Sequence, residues 1–272
     1  MADLSVSLAV LAAVVLLSEA GRRAAARLLP GARRVYLLEA ASTFQLCCCS
    51  HELKLLADSA RLEPASAGLL LTYTVTVVHL LTFRGAACNP TAALESLCRR
   101  RRGAKAAAAL VLSQFAAAAA ARTVAASVWS LGLSEVHVRI RRFGFRCFDP
   151  LGGTVLEAAA AELCCAFTVQ AAAMHVHKVP QRLREHCLAA VITAVVYAAG
   201  SISGAVFNPV LAFSIQFPCS GHTYLEYCFV YWLGPILGVA SCILLFEKVI
   251  PFLSGKSTIG LDVPAVQKQK AQ

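Results

Sequence analysis

Residues Gly204-Ala205-Val206-Phe207-Asn208-Pro209-Val210-Leu211-Ala212 repeat, at an offset of 119, the stretch Gly85-Ala86-Ala87-Cys88-Asn89-Pro90-Thr91-Ala92-Ala93. Both copies read G-A-x-x-N-P-x-x-A. The 272-residue chain contains two asparagines, and both lie in this motif, each followed by proline. A residue type so scarce, placed at matching points of two halves, marks an internal duplication. Proline at the first helical position is a helix-start signal. Each copy therefore predicts a short helix, about 90–98 and about 209–217, too short to cross a bilayer. Such a half-helix is tolerated at membrane depth only where its open end faces protein or a water-filled cavity.

The surroundings of the motif are those of a membrane protein. Apolar residues make up 58% of the chain and charged residues 15%, with a mean hydropathy of +0.66. A soluble domain carries about 25% charged residues. Longer apolar runs occur at about 4–20, 35–57, 66–83, 104–131, 154–178, 186–203 and 226–250. A span needs roughly 20 apolar residues, so six or seven spans fit and a large soluble domain does not. Upstream of each Asn-Pro pair by about 50 residues lies a glutamate in an apolar run. Glu39 has Phe44 five residues on, and Glu162 has Phe167; Glu157 is a rival to Glu162 on spacing alone. Three spans per half is an odd number, so the halves have opposite orientations. That is inverted-repeat logic, with the functional site where the broken helices meet.

The net charge of +10 does not point to nucleic acid. Basic residues sit in blocks between apolar runs: Arg22, Arg23, Arg27, Arg33 and Arg34; Arg99 to Arg102 with Lys105; Lys178, Arg182 and Arg184. This is the layout of cytoplasmic loops under the positive-inside rule. Little aromatic interleaving is present to stack bases. Most of the twelve cysteines lie inside apolar runs, among them Cys47, Cys48, Cys49, Cys164, Cys165, Cys187 and Cys242. They form neither a disulfide framework nor a zinc-ligand spacing. His175 and His177 are two apart on a helix and do not share a face. No nucleophile motif or phosphate loop occurs, so no cofactor, metal or catalytic residue is expected.

Paired N-P-x half-helices, a glutamate in the first span of each half and a 3+3 inverted repeat resemble the aquaporin family, over about residues 35–250. Several departures resemble its unorthodox superaquaporin branch: Asn-Pro-Thr and Asn-Pro-Val in the two motifs, and Leu211 where water-selective members carry arginine. Cys219 nine residues beyond Val210, Phe44-Gln-Leu-Cys-Cys-Cys49 and Trp129-Ser-Leu-Gly-Leu133 are further marks of it. The resemblance implies an all-α fold of six transmembrane helices plus two half-helices. It implies a homotetrameric channel of intracellular membranes for water and small neutral solutes such as glycerol and hydrogen peroxide. The domains expected are an N-terminal segment 1–34, a channel domain 35–250 (repeats about 35–131 and 154–250) and a cytosolic tail 251–272.

On this reading Asn89, Pro90, Thr91, Asn208, Pro209, Val210 and Leu211 surround the pore. Each half-helix N-terminus carries about half a positive charge that repels cations and hydronium. Each asparagine amide offers N–H donors to a passing oxygen, while capping its own helix. Counting back twelve from Asn208 suggests Val196, beside Tyr197, as the fifth-span contributor to the constriction. Leu69 or Tyr73 is the second-span candidate; packing core is the alternative for all four. Leu211 supplies neither charge nor donors, so an apolar mouth is expected to favour glycerol or hydrogen peroxide over water. Glu39 and Glu162, with Gly85 and Gly204, are read as structural supports of the loops, since a carboxylate within the bilayer needs partners. Arg122 either snorkels to an interface near Trp129 or faces the vestibule.

With this orientation 99–105 and 178–186 face the cytosol, and 132–153 and 214–225 the other side. Arg139, Arg141, Arg142 and Arg146 in the second pair of loops depart from the charge rule. Cys147 and Cys219, one per outer loop, can pair in an oxidising lumen; a free Cys219 packed in its loop is the alternative. Residues 4–20 are an extra span or an interfacial helix. Lys268 and Lys270 fit a dilysine-type endoplasmic reticulum retrieval signal, with a solvated basic tail as the alternative. The rival to a channel is a non-conducting membrane scaffold.

Overall fold

A computed structural model describes residues 2–58 and 65–254. The helices are α1 (Ala2–Leu28), α2 (Gly31–Asp58), α3 (Ala65–Thr82), α4 (Pro90–Cys98), α5 (Ala104–Ser130), α6 (Glu135–Arg142), α7 (Val155–His175), α8 (Arg184–Ser203), α9 (Pro209–Ile215) and α10 (Tyr224–Leu253). No strand occurs among the described residues. Five of these helices are long and apolar enough to cross a membrane, and α3 is a shorter apolar helix. Large apolar side chains cover the outside, Leu17, Leu112 and Leu156 each about 70% exposed. That is costly in water and ordinary against lipid.

The helix α2 is long but polar for a span. It carries Glu39, Gln45, His51 and Glu52, all buried. Each is hydrogen-bonded inside the protein, which is the condition for placing such groups at membrane depth. The two half-helices are α4 and α9, in the places the Asn-Pro pairs predict. Around them, α2 packs on α5, α7 on α8 and on α10, and α3 on α8. The α7–α10 seam is close. A Cβ on Gly234 would lie 2.9 Å from the Ala159 carbonyl, and one on Gly238 2.3 Å from the Leu163 carbonyl. Small residues four apart let backbones approach, which is how membrane helices associate without a hydrophobic drive.

In three regions the structure corrects or adds to the sequence reading. The basic stretch 22–34 is not a loop. Arg22, Arg23 and Arg27 lie in α1, and Arg33 and Arg34 in the first turn of α2. Arg22 is fully buried, with its guanidinium bonded to Glu19 (3.1 Å), Gln45 (2.7 Å) and Ser42 (3.5 Å); Glu19 also pairs with Arg84. Paired in this way the charge can leave water. The extra apolar run is the helix α1, antiparallel to α2, with Ser7 at Glu52 (2.5 Å) and Arg22 at Gln45. It runs alongside the bundle like a span. Helix α2 starts at Gly31, so it crosses the 34/35 boundary expected between N-terminal segment and channel domain. The third region is the 132–153 loop, which contains α6. Most of the tail 251–272, including Lys268 and Lys270, lies outside the described residues.

Candidate functional site

The two Asn-Pro loops meet inside the bundle with matched geometry. Asn89 has φ −146°, ψ 124°, and Asn208 φ −146°, ψ 109°. Each side-chain Oδ1 caps its own half-helix. Asn89 accepts from the Thr91 N–H at 3.0 Å, and Asn208 from the Val210 and Leu211 N–H groups at 3.1 and 3.4 Å. With each Oδ1 committed to N–H donors, each Nδ2 must point the other way. It points across to the opposite repeat. Asn208 Nδ2 donates to the Cys88 carbonyl at 2.7 Å, and Asn89 Nδ2 to the Phe207 carbonyl at 3.3 Å. Each asparagine therefore clasps the residue that precedes its counterpart. One N–H of each amide remains for a third partner.

The preceding residues take strained backbone conformations to make this possible. Cys88 has φ 52° and Phe207 φ 38°, both in the left-handed region, which costs about 1 kcal/mol or more per residue. Their N–H groups are held by the two buried glutamates. Glu39 accepts from Ala87 N–H (3.2 Å), Cys88 N–H (2.5 Å) and Gln114 Nε2 (2.8 Å). Glu162 accepts from Val206 N–H (2.9 Å), Phe207 N–H (2.5 Å) and Ser203 Oγ (2.6 Å). Charge-assisted bonds of this kind are roughly twice as strong as neutral ones. Glu157 is bound elsewhere, in a capping box with Thr154, so the Glu162–Glu157 ambiguity is resolved.

Glycine opens each loop. Gly204 ends α8 at φ 80°, and a Cβ there would meet Gln216 Nε2 at 2.5 Å. Gly85 has φ 84° with open space around it, so conformation alone calls for glycine.

Pro90 and Pro209 stand at the first helical positions. Thr91, where the motif departs from alanine, gives a second donor to Asn89 Oδ1 through its hydroxyl at 2.9 Å. Val210 is fully buried among Cys47, Cys48, Cys49, Ala118 and Ala121. It anchors α9 to α2 and α5. Leu211 is half-buried and packs on both main apolar clusters. Val196 packs with Phe207, Ala199 and Cys165, beside the second loop, while Tyr197 is 65% exposed. Tyr73 bonds His186 at 2.8 Å. His186 lies ten residues, roughly 15 Å of helix, before Val196 on α8, so Tyr73 and Val196 do not meet at one level; Leu69 lies a turn nearer the start of α3. Arg122 lies in the wall of a crevice that also contains Trp129. Cys147 and Cys219 form a disulfide, which joins the loop after α6 to the loop after α9.

Sequence reasoning missed Gln114 and Ser203, the side-chain partners of the two glutamates, and Ser214. Ser214 Oγ donates to the Ala118 carbonyl (3.1 Å) and meets His51 Nε2 (3.1 Å), fixing α9 to α5 and α2. Nothing repeats between the halves at these three positions, so the duplication carries no trace of them.

The sequence pattern of the major intrinsic protein family matches residues 40–246. The chain belongs to this family. Its relatives include human "Aquaporin-11", 38% identical over 259 residues that cover 94% of each chain. Mouse "Aquaporin-11" is 35% identical over 218 residues, 80% of this chain and 79% of the relative. Human "Putative aquaporin-12B" is 34% identical over 254 residues, 93% and 83%. The chain is thus an unorthodox aquaporin with an all-α membrane fold. Members of the family are channels for water or small solutes and not enzymes.

Proposed function

We propose that this aquaporin is a passive channel for water, glycerol and hydrogen peroxide that excludes ions and protons, acts as a homotetramer and resides in an intracellular membrane, the endoplasmic reticulum. The observation that carries the reading is the reciprocal clasp of Asn89 and Asn208. It brings two half-helix N-termini together and leaves one amide N–H on each side for a solute oxygen. A water or hydroxyl held by two fixed donors has its own hydrogens turned away from both, which breaks a proton wire. The two positive helix ends disfavour a cation at the same place. Leu211 in place of a cationic donor supports a mouth that costs less to a partly apolar solute than to water.

The test is solute flux by stopped flow in liposomes, with wild type and Asn208→Asp compared for water, glycerol and hydrogen peroxide. Flux above empty liposomes that the substitution lowers at least tenfold supports the reading. An aspartate keeps the helix cap but loses both amide N–H groups, the one that holds the Cys88 carbonyl and the one left for solute, so the comparison is made on protein shown to be folded and tetrameric. Flux equal to that of empty liposomes from correctly assembled protein favours a non-conducting scaffold. Dilysine-type retrieval is tested separately, by the location of a Lys268→Ala, Lys270→Ala chain in cells.

A further inference from the structure

A crevice of about 550 Å³ opens between the ends of α2 and α5, under α6 and the loop that follows it. Its walls come from α2, α5, α6, the loops and the end of α9; no residue of α3 or α8 lines it. It is therefore separate from the Asn-Pro loops and from the constriction candidates. The volume is that of an ordinary small-molecule site. Most of the lining is apolar, with Leu55, Trp129, Ile140, Phe145, Ile215 and Pro218 as its main walls.

One cation of the lining, Arg122, is exposed at the crevice and has no acidic partner among the described residues. Arg122 lies in α5, a 27-residue apolar helix whose other basic residue is Lys105 near the far end. It is eight residues, roughly 12 Å, from the last residue Ser130. Centred on a ~30 Å hydrocarbon layer, a helix of this length would overhang it by about 5 Å at each end, which would put the Arg122 backbone several ångströms inside that layer. An arginine there is costly without an anion or water to meet its guanidinium. The other charges in the crevice, Lys54 and Asp58, are paired with each other at 3.3 Å. The hydroxyls of Thr123 and Ser127 donate to backbone carbonyls and retain their acceptor lone pairs only. Arg122 is thus the donor an anionic ligand would meet.

The mouth of the crevice points to the source of the anion. Helix α6 is amphipathic: Val136 and His137 are buried, Ile140 lines the crevice, and Arg139, Arg141 and Arg142 are exposed, as is Arg146 just beyond. An amphipathic helix with arginines on its exposed face suits anionic headgroups; of these arginines, Arg141 also donates to the Ser130 carbonyl at 2.8 Å. The same four arginines are the ones that depart from the positive-inside pattern. We propose that this crevice binds an anionic membrane phospholipid, with the phosphate on the Arg122 guanidinium and the upper part of an acyl chain along the apolar wall.

The test uses full-length protein in a neutral detergent, free of added lipid. Bound lipid is counted by native mass spectrometry, and the thermal midpoint is followed, with phosphatidic acid, phosphatidylcholine of the same chains, and sodium phosphate. Phosphatidic acid should be retained and raise the midpoint, and phosphatidylcholine and inorganic phosphate should do neither. Losing one charge-assisted bond weakens binding about tenfold, so Arg122→Gln should bind phosphatidic acid at least that much more weakly. Thr123→Trp, which fills the crevice and keeps the arginine, should also lose it, and serves if Arg122→Gln does not fold. Equal retention of phosphatidylcholine, an equal effect of free phosphate, or binding that survives both substitutions would overturn the proposal. None of these readouts depends on flux, so the proposal fails or stands independently of the channel reading.

Discussion

At the residue scale the site is a problem of buried charge and strained backbone solved together. Glu162 accepts three hydrogen bonds within 2.9 Å, two of them from the loop whose Phe207 has a left-handed φ. Glutamine in its place offers one acceptor and sets an amide N–H against an N–H donor. A buried donor left without its acceptor costs about 1–3 kcal/mol, more when the lost acceptor is charged. Glu162→Gln should therefore lower unfolding stability by roughly 3 kcal/mol, read as a lower thermal midpoint in detergent. Glu157→Gln, which keeps an acceptor for an exposed capping box, should cost less than about 1 kcal/mol. Equal losses from the two would contradict the support role of Glu162. The matched bonds at Glu39 predict the same for Glu39→Gln.

At the element scale the half-helices and the α7–α10 seam depend on close approach. The Gly238 position leaves no room for a methyl group against the Leu163 carbonyl, and the obstacle is backbone. Gly238→Ala should force the helices apart and cost about 1–3 kcal/mol, the usual penalty of overpacking. Gly21, with open space around it, should tolerate alanine and gain slightly from helix propensity. The pair of midpoints checks whether the seam, and not glycine content, sets the difference. Glu52 ties four elements at one end of the bundle. It accepts from Ser7 of α1 and Trp129 of α5 and meets His137 of α6.

At the scale of the whole molecule the loops after α6 and after α9 are joined covalently. The disulfide Cys147–Cys219 closes a separation of 72 residues and is flanked by the Ser220 N–H to Cys147 carbonyl bond and a His222–Asp149 pair. Closing a loop of that length stabilises by up to roughly 4 kcal/mol in the chain-entropy account. Cys147→Ser should lower the thermal midpoint under oxidising conditions and remove the effect of added reductant. An unchanged midpoint on reduction of the wild type would show that the flanking hydrogen bonds already hold the loops.

The duplication, together with the apolar runs around it, determined that this is an inverted-repeat membrane protein with two half-helices. It also located Asn89, Asn208, Glu39 and one of two glutamates in the second half. Those inferences rest on local rules: helix length against bilayer thickness, proline at a helix start, and the scarcity of asparagine. Only the tertiary structure decided which glutamate holds the second loop, because spacing does not settle between Glu157 and Glu162, and what lies across from each does. It also decided that each asparagine amide reaches the opposite loop, that Val210 is buried in the core and that Tyr197 is exposed. Arg22 shows the limit most plainly. In sequence it belongs to a basic block and reads as a loop residue. In the fold Glu19, Ser42 and Gln45 surround its guanidinium, and three of its partners' groups come from two helices. Whether a charge is buried depends on partners distant along the chain, and a local pattern carries no record of them.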